Sequence, residues 1–201
     1  PELFILEKAI DKGYFVADIK IEFDSNGKVK KNYKIDGFIK DVKLSILKKY
    51  NIDKLDLLFD YQNKNLLLSD ISFSLNKLNF SSEKILLEEK NDNFLINGNI
   101  NHKTINIDEK NLDLFIKPFF PNLDVQSIKF GSENSFLFEI SKKFKLKNFQ
   151  VTSEMLVDEI LTTNNFNLKE FFPNIKKNIL FSNQKLLIEY KKNHLNINGK
   201  G

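Results

Sequence analysis

Residues 13–23, which read GYFVADIKIEF, decide the fold class because apolar and polar residues alternate along them. The odd-numbered positions from 15 to 23 are all apolar, whereas Asp18 and Glu22 are charged. Successive side chains of a β-strand point to opposite faces of the sheet, so this alternation predicts a strand with one buried face. The polar segment DSNGK then supplies turn residues, and VKKNYKIDGFIK returns with the same alternation. Residues 13–40 are therefore predicted to form a β-hairpin.

The same pattern recurs to the end of the chain and predicts a mainly β structure. The polar turns QNKN, KNDN, SKK and KKNH each separate two alternating segments, which indicates further hairpins. Repeated hairpins of this kind predict an elongated, twisted antiparallel sheet. The predicted strands span residues 13–23, 28–40, 55–61, 66–75, 85–89, 94–107, 136–140, 144–151, 186–190 and 195–199.

The tetrapeptide FFPN marks an internal repeat, because it occurs at residues 119–122 and again at residues 171–174. Each copy is followed by a short apolar segment, a polar break and an alternating hairpin. Internal repetition at such a spacing is typical of an array in which each unit leans on its neighbours. The approximate units are residues 1–50, 51–110, 111–165 and 166–201.

Short crossovers are predicted before the hairpins. Helical turns are expected near residues 154–161 and 167–172, where apolar residues fit a helical face and Asn167 can cap the first turn. Paired phenylalanines are costly to leave in water, and proline ends regular structure. We therefore expect each FFPN copy to plug the point where a crossover passes under the sheet. The expected plug residues are Phe119, Phe120, Pro121, Phe171, Phe172 and Pro173.

Three glycines lie inside predicted strands in matching contexts: Gly37 in YKIDGFI, Gly98 in FLINGNI and Gly199 in LNINGKG. Glycine weakens a strand and usually marks a bulge, a bend or a close approach of two backbones. The matching contexts predict a sheet that is bent at corresponding places. A bent sheet forms a trough.

Composition argues against several function classes. All 31 basic residues are Lys, they are interleaved with 27 acidic residues, and the net charge is +4. Because bidentate reading of bases and phosphates depends on Arg, nucleic acid is not an expected partner. The absence of Cys excludes disulfides and thiolate metal sites. No apolar run approaches the roughly 20 residues that span a bilayer, and because the chain opens on Pro1 we expect a fragment of a longer array.

No pattern in the sequence points to catalysis. His102 and His194 lack paired carboxylates at ligand spacing, so both are expected at the surface and no metal site is predicted. The serines lie in polar segments such as SSEK and GSENS without a nearby partner His, and seven Gly form no phosphate-binding loop. We therefore predict neither an enzyme nor a bound cofactor.

The sequence does contain an excess of apolar residues. Twenty Phe, with large aliphatic residues at alternate strand positions, exceed what a one-layer sheet can bury unless its apolar face is covered. A second sheet would cover that face in a sandwich, and acyl chains would cover it in an open groove, where each CH2 contributes roughly 0.8 kcal/mol. The residues expected to line the face are Ile19, Ile21, Ile35, Ile39, Phe59, Ile71, Phe73, Ile96, Ile100, Phe136, Phe138, Ile188 and Ile197.

Serial hairpins with short proline-closed crossovers, as in FFPNIKKNILFSNQKLLIEYKKNHLNINGKG, resemble the AsmA-like proteins of Gram-negative envelopes, especially the YhdP type. The similarity is one of rhythm and covers residues 13–201. It implies a repeating β-groove, a U-shaped sheet whose interior carries phospholipid acyl chains across the periplasm between the inner and outer membranes. It also implies an inner-membrane anchor outside this chain, neighbouring repeats as partners, and no catalytic residues. The alternative is a closed β-sandwich or barrel that makes structural or adhesive contacts in the envelope.

Overall fold

The computed structural model describes residues 10–30, 32–46, 50–90, 93–107, 111–113, 125–143, 145–163, 171–174 and 178–200. Apart from a short helical turn at 111–113, their regular structure consists of ten β-strands. The strands are β1 (Ile10–Lys20), β2 (Lys34–Ile46), β3 (Tyr50–Gln62), β4 (Asn65–Leu75), β5 (Leu78–Lys90), β6 (Asn93–Ile107), β7 (Val125–Ser141), β8 (Leu146–Thr163), β9 (Asn178–Lys191) and β10 (His194–Lys200). All ten join one sheet in chain order, and each pairs antiparallel with the next.

Tight turns set the register of the hairpins in the middle of the sheet. Asn63 and Lys64 join β3 to β4 with φ values of 51° and 66°, and Asn76 and Lys77 join β4 to β5 with φ values of 49° and 72°. Positive φ at both central residues matches the right-handed twist of the flanking strands. The first of these turns lies in the predicted QNKN segment.

The observed strands confirm the mainly β, antiparallel fold, but several are longer than predicted. The segments SSEK, GSENS and SNQK, expected as turns or polar breaks, lie inside β5, β7 and β9. In β7, for example, Ser132 pairs with His102 and Asn134 pairs with Ile100. Polar side chains can remain in a half-buried strand when neighbouring strands supply hydrogen-bond partners. Alternation along one strand carries no information about such partners.

The predicted helical turn near residues 154–161 is wrong, because these residues lie within the 18-residue strand β8. Met155, for example, pairs with Ser132 on one side and with Leu186 on the other. Ladders on both sides outweigh a weak local helix preference. Of the other predicted helical turn, residues 167–170 lie outside the described residues, and residues 171–174 contain turns and no helix.

The main cluster of buried residues lies toward one end of strands β5 to β8, and Val42, Leu57 and Ile71 are buried outside it. Leu78, Ile107, Phe130 and Val157, from β5 to β8, pack in this cluster against Leu112 of the helical turn. Among the described residues there is no second sheet, so this part of the chain does not close into a sandwich. β1 and β10 are therefore the two edges of an open sheet.

Candidate functional site: one apolar face

The strand register assigns most strand residues to one of two faces, because residues opposite each other in an antiparallel ladder point to the same side. Ile19 pairs with Ile35, and Ile35 in turn pairs with Tyr61. Following the pairs strand by strand leads to Ile188 on β9 and Ile197 on β10. The side defined in this way is named the apolar face. Besides the predicted residues it carries Phe15, Leu57, Leu66, Leu68, Phe80, Ile85, Leu87, Phe94, Val151, Met155 and Leu195.

The structure brings twelve of the thirteen predicted lining residues onto the apolar face. They are Ile19, Ile35, Ile39, Phe59, Ile71, Phe73, Ile96, Ile100, Phe136, Phe138, Ile188 and Ile197. Ile21 is the exception, because it follows the last residue of β1, Lys20, and no ladder places it on a face. Contact of these residues with lipid stays a prediction.

The expected diphenylalanine plug is described only for its second copy. Phe171 and Phe172 are 76% and 62% exposed, and Pro173 is exposed as well. Burial of this pair under the sheet is therefore not observed. Phe119, Phe120 and Pro121 lie outside the described residues.

Residues in the left-handed region keep apolar side chains on one face where the alternation slips. Ile39 and Val42 are three positions apart, yet both belong to the apolar face because Asp41, with φ 52°, is extruded between them. Such β-bulges favour Asp and Asn, whose short polar side chains tolerate this backbone. Corresponding slips occur at Lys54, Asp70, Asn148 and Asn183, with φ values from 49° to 56°.

Two of the three predicted strand glycines lie where the backbones of neighbouring strands come close together. A Cβ added to Gly37 would lie 2.9 Å from the ring of Phe59, the residue opposite it on β3. A Cβ added to Gly98 would lie 2.7 Å from the carbonyl oxygen of Lys84 on β5. A side chain at either position would collide with its neighbours, which accounts for glycine there.

A polar cluster formed by His102, Ser132, Asn134 and Ser153 lies in the middle of the apolar face. The register places all four side chains there, on β6, β7 and β8. His102, Ser132 and Ser153 are buried. The imidazole packs edge-on between two phenylalanine rings, with centroid distances of 5.6 Å to Phe80 and 4.7 Å to Phe130.

The hydrogen bonds of this cluster form a series in which each side chain donates to the next, and the series requires a neutral imidazole. His102 Nδ1 lies 3.0 Å from the carbonyl oxygen of Lys103, which can only accept, so Nδ1 carries the hydrogen. His102 Nε2 therefore accepts from the Ser132 hydroxyl at 2.9 Å. The Asn134 amide donates to Ser132 Oγ at 2.7 Å, and its oxygen accepts from the Ser153 hydroxyl at 2.6 Å.

Burial lowers the pKa of His102 below its ordinary value, and the hydrogen bond to the Lys103 carbonyl opposes this shift only in part. The expectation that His102 lies at the surface is therefore wrong, whereas His194 is exposed as expected. The burial comes from strands β5 and β7 beside β6, which the sequence near His102 does not reveal. Spacing does offer one signal: Ser132 and Asn134 alternate in phase with Phe136 and Phe138.

We expect the stability of the protein to fall in mild acid because of His102. Below about pH 6.5 the unfolded chain binds a proton at this imidazole, whereas the folded chain, with its lowered pKa, does not. The free energy of unfolding should therefore decrease as the pH falls from about 6.5 to the pKa of His102 in the folded protein. Above about pH 6.5, His102 should make no contribution to the pH dependence of stability. Urea denaturation between pH 5 and 8 measures this dependence.

The matched variants are His102→Phe and His194→Phe. His102→Phe preserves a ring between Phe80 and Phe130 but leaves the Ser132 hydroxyl without its acceptor, so it should cost about 1–3 kcal/mol at neutral pH. It should also remove this part of the pH dependence, which His194→Phe should retain. An unchanged pH profile in His102→Phe would contradict the neutral, buried assignment.

The opposite side, named the polar face, carries most of the charged residues of the strands, but it also carries exposed apolar side chains such as Phe38, Leu58 and Leu156. Lys34 Nζ lies 2.6 Å from Asp60 Oδ2, and Lys129 Nζ lies 3.9 Å from Asp158 Oδ2. Solvent screens these partly exposed pairs, so they contribute little to stability.

A depression of about 1190 Å³ lies on the polar face. One row of its lining runs across five strands through Asn101, Glu133, Glu154, Leu187 and Asn198, which pair in that order. Within the described ranges no group of three or more His, Cys, Asp or Glu residues could hold a metal ion.

Comparison with known protein families, curated proteins and solved structures finds no match for this chain. The resemblance to AsmA-like proteins therefore rests only on the repeated hairpin pattern of the sequence. Nothing in these comparisons identifies that family. No helix in the described part of the chain is long and apolar enough to cross a membrane.

Proposed function

We propose that the apolar face binds the acyl chains of phospholipids and that the chain is a segment of a bridge-like lipid-transfer protein. The observation that supports this most is the continuity of the face, which runs from β1 to β10 without a second sheet over it among the described residues. Leu112 covers one end of it. Apolar side chains left open in this way need a nonpolar cover, and acyl chains supply one.

The dimensions of the sheet suit a conduit better than a closed pocket. Ten strands spaced about 4.8 Å apart span about 43 Å from β1 to β10. One leaflet of a bilayer contributes only about 15 Å of hydrocarbon, half of the roughly 30 Å core. A single acyl chain therefore covers part of the face, and several chains in a row, or one chain that slides, would use its length.

The polar cluster around His102 is compatible with such sliding. Its donors are already engaged within the protein, from Ser153 through Asn134 and Ser132 to His102. An acyl chain that moves over the cluster therefore does not deprive any of these donors of its hydrogen-bond partner. The face attracts hydrocarbon without a specific polar anchor, which fits non-directional binding distributed over many residues.

The resemblance to AsmA-like proteins supplies the setting of this proposal. On this proposal the groove lies in the periplasm and carries phospholipid between the inner and outer membranes. The parent protein is anchored through a segment outside this chain. A U-shaped curvature of the sheet belongs to the same proposal. The alternative, a closed β-sandwich, needs a second sheet from residues outside those described or from another molecule.

Two leucines on β8 provide a matched test of lipid binding. Leu146 lies on the apolar face and is 57% exposed, whereas Leu156 lies on the polar face and is 56% exposed. Asp at either position stays hydrated in the empty protein, so both variants should fold. Leu146→Asp forces a bound acyl chain to desolvate a carboxylate and should weaken lipid binding about tenfold. Leu156→Asp should bind as the wild type does.

The measurement is transfer of a phospholipid with a fluorophore on one acyl chain, presented in vesicles of phosphatidylethanolamine and phosphatidylglycerol. Circular dichroism of the same samples verifies that both variants keep their β signal. The proposal fails if the wild type takes up no lipid, or if Leu146→Asp and Leu156→Asp change uptake equally.

A further inference from the structure

Four of the connections between strands lie at one end of the sheet, and each brings an exposed lysine there. Because the strands pair antiparallel in chain order, the connections from β3 to β4, β5 to β6, β7 to β8 and β9 to β10 all fall at this end. The lysines are Lys64 and Lys192 in two of the turns, Lys90 at the end of β5 and Lys142 directly after β7. These four exposed residues are named the lysine rim.

Two lysines of the rim converge on one carboxylate at the border of the apolar face. Glu89 is the next-to-last residue of β5 and lies on the apolar face, because it pairs with Phe94. Its Oε2 lies 3.5 Å from Lys64 Nζ, and its Oε1 lies 3.9 Å from Lys142 Nζ. Glu89 thus holds ammonium groups from two different turns close together, and both lysine side chains stay more than half exposed. Lysine binds phosphate as a point charge, so two accessible ammonium groups suit a phosphate group.

Tyrosines accompany the lysines along the same border. Tyr61 and Tyr190 are the next-to-last residues of β3 and β9, and their strand partners place both on the apolar face. The ring of Tyr33 lies 5.8 Å from that of Tyr61. The Tyr190 hydroxyl donates to Asn193 Oδ1 in the adjoining turn at 3.1 Å. An aromatic ring with a hydroxyl group is favoured where hydrocarbon meets water, so this border has the chemistry expected between acyl chains and their head groups.

The opposite end of the strands carries the buried cluster. Leu78 begins β5 and Ile107 ends β6, so the cluster that they form with Leu112 lies away from the lysine rim. A charged head group placed against these apolar side chains would lose water that they cannot replace. The two ends of the strands therefore differ in the part of a lipid that they suit, and only the lysine rim suits a head group.

We infer that the lysine rim binds the phosphate of phospholipid head groups, with Lys64 and Lys142 as the central pair. This rests on the proposed function, because it names where the head group lies when acyl chains cover the apolar face. Turns on every second strand are about 10 Å apart, so Lys90 and Lys192 belong to the same row. Weak ionic contacts that recur along the row let a head group pass from one lysine to the next. Glu89 keeps the central pair together in the empty protein and repels a bound phosphate.

The test variant combines Lys64→Asn with Lys142→Asn, and the control variant combines Lys77→Asn with Lys129→Asn. Both variants lose the same charge. Lys64 and Lys77 are each the second residue of a two-residue turn with positive φ, but Lys77 lies at the opposite end of the sheet. Asn tolerates this backbone, and all four lysines are exposed, so both variants should keep the β signal in circular dichroism.

The probes are phosphatidylglycerol and diacylglycerol with the same fluorophore on one acyl chain, each presented in the same neutral, phosphate-free detergent. The wild type should bind phosphatidylglycerol about tenfold more tightly than diacylglycerol, which lacks the phosphate. The test variant should lose this preference and bind diacylglycerol as the wild type does, whereas the control variant should retain both affinities. Glu89→Gln should strengthen the binding of phosphatidylglycerol, because it removes the repulsion of the phosphate.

The outcomes separate this inference from the proposed function. Equal binding of the two lipids by the wild type, or an equal loss in the test and control variants, overturns the inference and leaves acyl-chain binding intact. Uptake of neither lipid refutes the proposed function, and this inference with it. Inorganic phosphate distinguishes a free anion from a head group. If calorimetry shows that phosphate alone binds as tightly as phosphatidylglycerol, the assignment to a lipid head group is wrong.

Discussion

Ile71→Asp is expected to unfold the protein or to lower its free energy of unfolding by several kcal/mol. Ile71 is only 5% exposed, although it lies on the face of an open sheet. Its partner on β5 is Ser82, which has no positive charge to pair with a carboxylate at position 71. A buried carboxylate without a partner costs more than most single substitutions, and a whole domain is stable by only about 5–15 kcal/mol.

The control for this prediction is Ile71→Asn, which has nearly the same shape as Asp but carries no charge. The difference in urea midpoint between Asp and Asn at pH 7 isolates the charge, and it should shrink in acid as the carboxyl group becomes protonated. Equal midpoints for the two variants at neutral pH would show that residue 71 is hydrated. The consequence for function is practical: protein already covers Ile71, so lipid passage has to be tested at half-exposed positions such as Leu146.

Gly98→Val is expected to lower the free energy of unfolding by about 3 kcal/mol. The added Cβ would lie 2.7 Å from the Lys84 carbonyl oxygen and 3.0 Å from the Ile85 Cα. Both are backbone atoms, so no rotation of a side chain can relieve the contact. The strands β5 and β6 would have to separate locally, which weakens their ladder.

Gly199→Val is the matched control, because both glycines follow Ile-Asn in the sequence. At Gly199 the nearest atom belongs to the end of the Leu186 side chain, so the cost should stay near the roughly 0.5 kcal/mol typical of surface changes. Urea denaturation of the two variants at a concentration where the protein is monomeric makes the comparison. Equal losses would contradict the close backbone approach at Gly98.

The apolar face explains how a one-layer sheet can hold a few fully buried residues and many half-buried ones. Large side chains on adjacent strands shield one another, as Phe73 and Phe80 do with 5.4 Å between ring centroids. Near Val157 the helical turn with Leu112 completes the cover. Toward β1 and β10 this mutual shielding ends, and Phe15, Ile19, Leu195 and Ile197 are exposed. Bound lipid would therefore cover more exposed apolar surface near these strands than in the middle of the sheet.

The sequence by itself determined the presence of the strands and the phase of their side chains. Every predicted strand overlaps an observed one, and residues such as Ile35 and Phe138 share a face as alternation indicates. This succeeds because the two-residue period is a local property of an extended chain. Turn residues such as Asn63 and Lys64 add local information about where the chain reverses.

Only the tertiary structure decided strand length, the bulges and the environment of His102. Residues 154–161 carry apolar positions that fit a helix equally well, and ladders to β7 and β9 decide in favour of a strand. His102 becomes buried through Phe80 and Phe130, which lie far from it in the sequence. The choice of one open sheet also depends on which strands pair and which edges stay free. These outcomes rest on contacts between distant residues, whose free energies no local pattern encodes.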